Sequence, residues 1–263
     1  MPQETTKSDS GHLSSEAIRG LFNEALALQQ QQNWDGALTA YSRLLDLSPN
    51  TLSGEQLSAV YHNMSVVAAQ QSEHLKAYVW NKLALHHQRT NSEAQNAAPT
   101  YAQNFSPPQM LNRLTGTGLL QKSAAQVPFD LWMMAVLLFT ALFCRKWAKL
   151  AAMHRKSASY KSFWSIPRWP LYSLFIAWLL TLSAAYLCFA ENRQLRAYVL
   201  TPSAPVQTAP GENKSIIYDA PGGLELEVIG QQGDFIQVRR SGVFSGWIQR
   251  DQLALTAPEL SQN

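Results

Sequence analysis

The sequence predicts a multi-domain membrane protein with three parts: an α-helical N-terminal domain, a two-helix transmembrane hairpin and a small all-β barrel at the C-terminus. Three observations predict it. Two stretches of the 263-residue chain are long, apolar and almost free of charge. Ahead of them, apolar residues recur at helical spacing. Behind them, short alternating runs are divided by glycine turns.

The apolar stretches come first because they set the organisation. Residues 127–144, VPFDLWMMAVLLFTALFC, carry one charge, Asp130, near the start; residues 170–190, PLYSLFIAWLLTLSAAYLCFA, carry none. A bilayer core takes ~20 apolar residues, so the second is long enough outright and the first spans with Asp130 at the headgroups. Between them, residues 145–169 hold Arg145, Lys146, Lys149, Arg155, Lys156, Lys161 and Arg168 and no acid. So many cations in one short connection place it on the cytoplasmic side. Trp132, Trp147, Trp164, Trp169 and Tyr172 sit near the span ends, where amphipathic rings collect. Arg145, Lys146, Lys149, Arg155 and Lys156 read as a lipid-facing basic loop, in preference to a nucleic-acid site. Both termini then face the periplasm of a bacterial inner membrane. That orientation carries the residues ahead of the first span across the membrane, yet MPQETTKSDSGHL shows no apolar signal core. A removed signal, a different start site and the reverse orientation all stay open.

Overall composition fits this division. The chain is 46% hydrophobic but only 15% charged, against a typical ~25%. Its +3 charge, from 21 Lys and Arg against 18 Asp and Glu, excludes a histone-like protein. Cys144 and Cys188, the only cysteines, exclude a disulfide scaffold or a cysteine zinc site. They fall near opposite ends of the spans, too far apart for a disulfide, and are expected as free, apolar-packed thiols.

Residues 14–91 read as helical, behind a disordered tail at 1–13. Leu21, Ala25 and Leu28 make one apolar stripe, and Ala37, Tyr41, Leu44 and Leu45 a second, with QQQNWDG turning between them and Pro49 ending the pair. Ala77 and Ala84 repeat the small positions in a second unit over Ser58–Asn91, which has Asn81 at the aromatic place and no closing proline. The run LFNEALALQQQQNWDGALTAYSRLLDLSPN resembles a tetratricopeptide (TPR) repeat, with Ala37, Tyr41, Leu44 and Pro49 on the family's small, aromatic, small and proline positions. The resemblance implies protein binding through a concave groove, with Arg19, Phe22, Leu26, Gln29, His62 and Val66 at groove-facing positions. Two repeats are fewer than the ~3 a solenoid needs, so a capping helix, a partner or self-association is expected. Adjacent His86 and His87 point ~100° apart on a helix and are not read as a metal site.

Residues 92–126, rich in Asn, Ala, Gln, Ser and Pro, read as a flexible linker. A second linker covers 191–202, the β module 203–258, and a short tail 259–263. SIIYD, LELEVIG, DFIQVRR and GWIQR are the expected strands, with Val228, Phe235, Ile236, Val238, Trp247 and Ile248 filling a thin core. This stretch resembles a bacterial SH3 domain through Pro205, Gly223, Asp234–Phe235 and Gly246–Trp247–Ile248. Phe235 and Trp247 are expected in its core, and Tyr218, Arg239 and Arg240 on its surface. The resemblance implies binding of cell-wall peptide, a short protein segment or a neighbouring subunit.

No phosphate-binding glycine loop, G-x-S-x-G, H-E-x-x-H or C-x-x-C is present. The expectation is a non-enzyme with no catalytic residues, cofactor or metal. In its order of helical repeat, two spans and SH3-like module, the chain resembles the BatE family of the bacterial Bat (aerotolerance) operons. What this implies is an inner-membrane scaffold working with von Willebrand factor A-type Bat proteins and a MoxR-type AAA+ ATPase. The alternative is a peptidoglycan-binding envelope sensor using the SH3-like module.

Overall fold

The computed structural model describes residues 15–47, 51–107, 123–124, 127–156, 169–192, 194–211, 214–240 and 242–257. The tails at 1–13 and 259–263, Pro49, residues 108–122 and 125–126 of the 92–126 linker, and Lys161, Trp164 and Arg168 lie outside the described residues. Two compact units divide the chain.

One unit begins with five helices: α1 (Ser15–Gln30), α2 (Trp34–Leu47), α3 (Gly54–Gln70), α4 (His74–His87) and α5 (Ser92–Phe105). The first four form two hairpins built alike. Gln32 and Ser72, at the centre of each turn, both hold positive φ, 60° and 61°. In the first turn the Asn33 N–H donates to the Leu28 carbonyl and the Gln32 N–H to Gln29; in the second, Glu73 donates to Ala68 and Ser72 to Ala69. These are paired Schellman closures of α1 and α3. The same offset of 40 in numbering relates the buried positions Ala25 and Ser65, Ala37 and Ala77, Tyr41 and Asn81, and Leu44 and Ala84. Small residues at the first two pairs let the helices of each hairpin approach.

Ser53 starts α3 with a capping box. Its Oγ accepts from the Gln56 N–H at 3.3 Å, and its own N–H donates to Gln56 Oε1 at 2.8 Å. Asn91 caps α5, accepting from the Ala94 N–H at 3.1 Å. Residues 92–105 are therefore a helix and not a flexible linker, despite Pro99 inside it. The cap, the alanines and the burial of Ala94 and Tyr101 outweigh a polar composition without visible period. α5 packs on α4, covering a face that two hairpins alone would leave open.

The unit continues in seven antiparallel strands: β1 (Arg196–Val199), β2 (Ser203–Gln207), β3 (Ile216–Pro221), β4 (Glu225–Gln232), β5 (Phe235–Arg240), β6 (Phe244–Gln249) and β7 (Leu253–Leu255). Their order is β3-β2-β6-β5-β4-β1-β7, with β3 and β7 as free edges. The expected closed barrel is thus corrected to an open sheet. β1 also corrects the boundary: Arg196–Val199, assigned above to a linker, pairs with both β4 and β7.

Ile236, Val238 and Ile248 are fully buried, as the alternation requires, and Val228 packs against them half-buried. Phe235 and Trp247 do not join this core. Each neighbours an inward-facing residue, Ile236 or Ile248, so the two-residue period turns both to the opposite face, where they are half-buried. Helices and sheet share one body. Tyr198 of β1 is buried within the helical core, Leu200 and Ala254 pack against that core, and Tyr78 of α4 meets Phe105 of α5 at 5.3 Å between ring centroids.

The second unit contains α6 (Phe129–Lys156) and α7 (Trp169–Asn192). Within them Phe129–Lys149 and Tyr172–Ala190 are long and apolar enough to cross a membrane, with mean hydropathies of 1.4 and 1.9. Only 6% and 11% of these stretches is buried inside the protein, unlike core helices of a soluble fold. The two helices are joined by ring contacts, Phe129 with Phe189 and Phe143 with Phe175, and by the Trp178 Nε1–H donating to Thr140 Oγ1 at 2.9 Å. Neither cysteine is in a disulfide; Cys188 is buried, with its Sγ 3.7 Å from the Val127 carbonyl, whereas Cys144 is exposed. The connection expected to begin at Arg145 begins instead as a continuation of α6.

Candidate functional site

A cleft of about 270 Å³ opens between α1, α2 and α3. Its floor is apolar: Ile18 and Phe22 from α1, Leu44 from α2, Leu52 ahead of α3 and Val60 within α3. Arg19, Glu55 and Gln56 supply polar lining. Phe22 lines it half-buried, with its ring against that of Tyr41, centroids 6.0 Å apart.

Of the six groove positions named from sequence, Arg19 and Phe22 line this cleft and the other four do not. Leu26 and Val66 are half-buried, and Gln29 accepts a hydrogen bond from the Tyr41 hydroxyl at 2.9 Å. His62 is buried among α3, α4 and α5, with Nε2 3.6 Å from a Glu93 oxygen and no hydrogen-bond partner on Nδ1. Burial pulls its pKa down; Glu93 and Asn81 partly oppose this. Neutral His62 therefore helps seat α5, as does Asn81, whose Nδ2 donates to the Ala94 carbonyl at 3.1 Å. Leu52 and Val60 are cleft residues that sequence reasoning missed. They meet Ile18 and Phe22 of α1 only through tertiary packing, which no helical period reports.

His86 and His87 end α4 with rings nearly perpendicular, 84° apart. Burial lowers both pKa values; Arg196 of β1 lowers that of His86 further, and His86 that of His87. Among the described residues no group of three or more His, Cys, Asp or Glu is placed to hold a metal.

On the sheet, the three proposed surface residues are already engaged. Tyr218 stacks on Phe244 at 4.8 Å. Arg239 donates through Nε and Nη2 to Glu227 Oε2, at 3.0 and 2.9 Å. Arg240 Nη1 donates to the Glu225 carbonyl at 2.9 Å, and Arg196 pairs with the Glu225 carboxylate. These contacts pin β4 to β5 and β1. Arg145, Lys146 and Lys149 are exposed on α6; Arg155 and Lys156 fall on its last turn, and their side chains lie outside the described residues.

Set against known protein families, curated proteins and solved structures, the chain matches none.

Proposed function

We propose that this protein is a membrane-anchored, non-enzymatic adaptor that presents TPR-like and SH3-like binding modules at the periplasmic face of a bacterial inner membrane. In this reading it serves a Bat-type envelope complex, and its partners are von Willebrand factor A-type membrane proteins and a MoxR-type AAA+ ATPase. The observation that carries the reading is the α1–α3 cleft: an apolar floor with Arg19 and Glu55 in its lining, on a chain that also holds two apolar, largely unburied helices.

The paired hairpins support the TPR-like part, with one departure. Their offset of 40 exceeds the ~34 of that repeat, and the surplus falls in the connection between α2 and α3. Anchoring supports an adaptor role, because a tethered cleft reaches a membrane partner at high effective concentration and need bind it only modestly.

The test is a pull-down of the tagged chain in mild detergent, before and after muramidase digestion, read by mass spectrometry. Protein partners that survive digestion and vanish with Arg19→Glu support the adaptor. Retention unchanged by Arg19→Glu removes the cleft from the account. Half-buried Trp247, beside Gln237 and Gln207 across the sheet, favours the second reading, a sensor of peptidoglycan. Wall fragments recovered before digestion, with no protein left after it, would select that one.

A further inference from the structure

The helix α6 does not stop where its apolar stretch stops. The stretch closes at Lys149 and the helix runs on to Lys156. At 1.5 Å per residue those last turns reach about 10 Å farther. The headgroup layer of one leaflet is only ~5–7 Å deep. With α6 across a bilayer, its basic end would thus traverse the whole layer.

Among the described residues of the second unit, no acid answers the charge there. Arg145, Lys146 and Lys149 are exposed, and among the described residues none of them pairs with a carboxylate. No Asp or Glu occurs anywhere from Leu131 to Ala190. The acids stand at the other end of the hairpin, as Asp130 and Glu191. Position matters as much as sign. At ~100° per residue Arg145, Lys149 and Lys156 fall within about 40° of one another, a single stripe along the helix, with Lys146 beside it. Trp147, 61% exposed, lies across the helix from that stripe, as an interfacial ring does.

We propose that the basic end of α6, from Arg145 to Lys156, is a docking surface for the phosphate headgroups of anionic phospholipid. The stripe starts one turn inside the apolar stretch, where long stems let cations snorkel outward, and ends beyond it. A phosphate held in a bilayer plane meets such a stripe along its length. Nucleic acid would be met only by the outermost turn. Each cation at an anionic surface is worth about a fivefold gain in lipid preference.

This proposal rests on α6 and α7 spanning a membrane, and the experiment separates the two. Membranes containing the full chain are first washed at alkaline pH; release into the wash overturns the span and the docking surface together. A chain that stays is purified in detergent and offered equal phosphatidylglycerol and phosphatidylcholine, with retained lipids counted by native mass spectrometry. The expected result is at least a tenfold preference for phosphatidylglycerol, falling to near parity in Arg145→Gln/Lys146→Gln/Lys149→Gln and weakening in high salt. Asp130→Asn should leave it intact. Equal retention of the two lipids, a preference that survives the triple variant, full competition by inorganic phosphate, or co-purified nucleic acid in place of lipid would each overturn it while leaving the span standing.

Discussion

Tyr61 and His87 stack face to face, ring centroids 5.5 Å apart and planes 4° from parallel. The stack joins α3 to the last turn of α4. It leaves His87 Nε2 buried without a hydrogen-bond partner. Burial, with His86 next to it, lowers the His87 pKa to about 4. An unfolded histidine titrates near 6.5. Between those values the unfolded chain binds a proton that the fold rejects, so stability falls as pH falls from about 6.5 to about 4. Over the full window His87 alone accounts for about 3 kcal/mol, and His62 and His86 act in the same direction. Denaturant unfolding followed by circular dichroism at pH 7.5 and pH 4.5 measures this loss. His87→Phe keeps a ring on Tyr61 and should lose markedly less stability on acidification. An acid loss equal to that of the parent would remove His87 as its source.

Gln32 and Ser72 hold the left-handed conformation that side chains disfavour. An L-residue there costs ~1–2 kcal/mol that glycine avoids, offset in part by glycine's looser unfolded chain. Gln32→Gly and Ser72→Gly should therefore each stabilise the helical part by about 0.5–1 kcal/mol. The two turns are linked by the Gln71 Nε2–H donating to Asp35 Oδ1 at 2.7 Å, so the double variant measures how far the two gains are coupled. Thermal melts of the single and double variants check it. A destabilised single variant would mean that the side chain contributes more than the backbone strain costs.

The legibility of this fold follows the range of the signal. Ala37 and Ala77 were visible as repeat positions because helical spacing is local, and the two long apolar helices because their length and composition can be read directly. α5 was missed because its support is tertiary: Ala94 and Tyr101 are buried against α4, while its own residues read as a polar linker. β1 was missed for a similar reason, since Arg196–Val199 becomes a strand only between β4 and β7. Phe235 and Trp247 show a different failure. Size suggested core, but strand alternation decides the face, and Ile236 and Ile248 occupy the inner one. At the cleft, Arg19 and Phe22 were named from repeat position, whereas Leu52 and Val60 reach α1 only through tertiary packing.

Gly223 sits where the sheet meets α5. Its φ is +72°, and a Cβ there would lie 2.5 Å from Phe105 Cε1. Gly233 has a similar φ of +57° but nothing within 4 Å of such a Cβ. Gly223→Ala should therefore cost about 2–4 kcal/mol, from conformation and overpacking together, and Gly233→Ala only about 1–2 kcal/mol from conformation. Chemical unfolding of both variants gives the difference, which reports the packing of Phe105 on the sheet. Equal costs would show that this contact contributes nothing to stability.

The bond from Trp178 to Thr140 lies midway along two helices whose surroundings offer little else that is polar. Thr140 also donates back to the Val136 carbonyl at 2.7 Å, which fixes its hydroxyl oxygen as the acceptor for the indole. Interhelical hydrogen bonds in a membrane contribute ~0.6 kcal/mol on average and at most ~1.7. Thr140→Val keeps the shape of the side chain and removes that acceptor. Trp178→Phe removes the donor but also ring area. A double-mutant cycle isolates the bond from the packing. Unfolding the reconstituted chain with a denaturing detergent, with helix separation followed by fluorescence, should give a coupling of about 0.5–1.5 kcal/mol. A coupling near zero would leave ring contacts such as Phe143 with Phe175 as what holds α6 to α7.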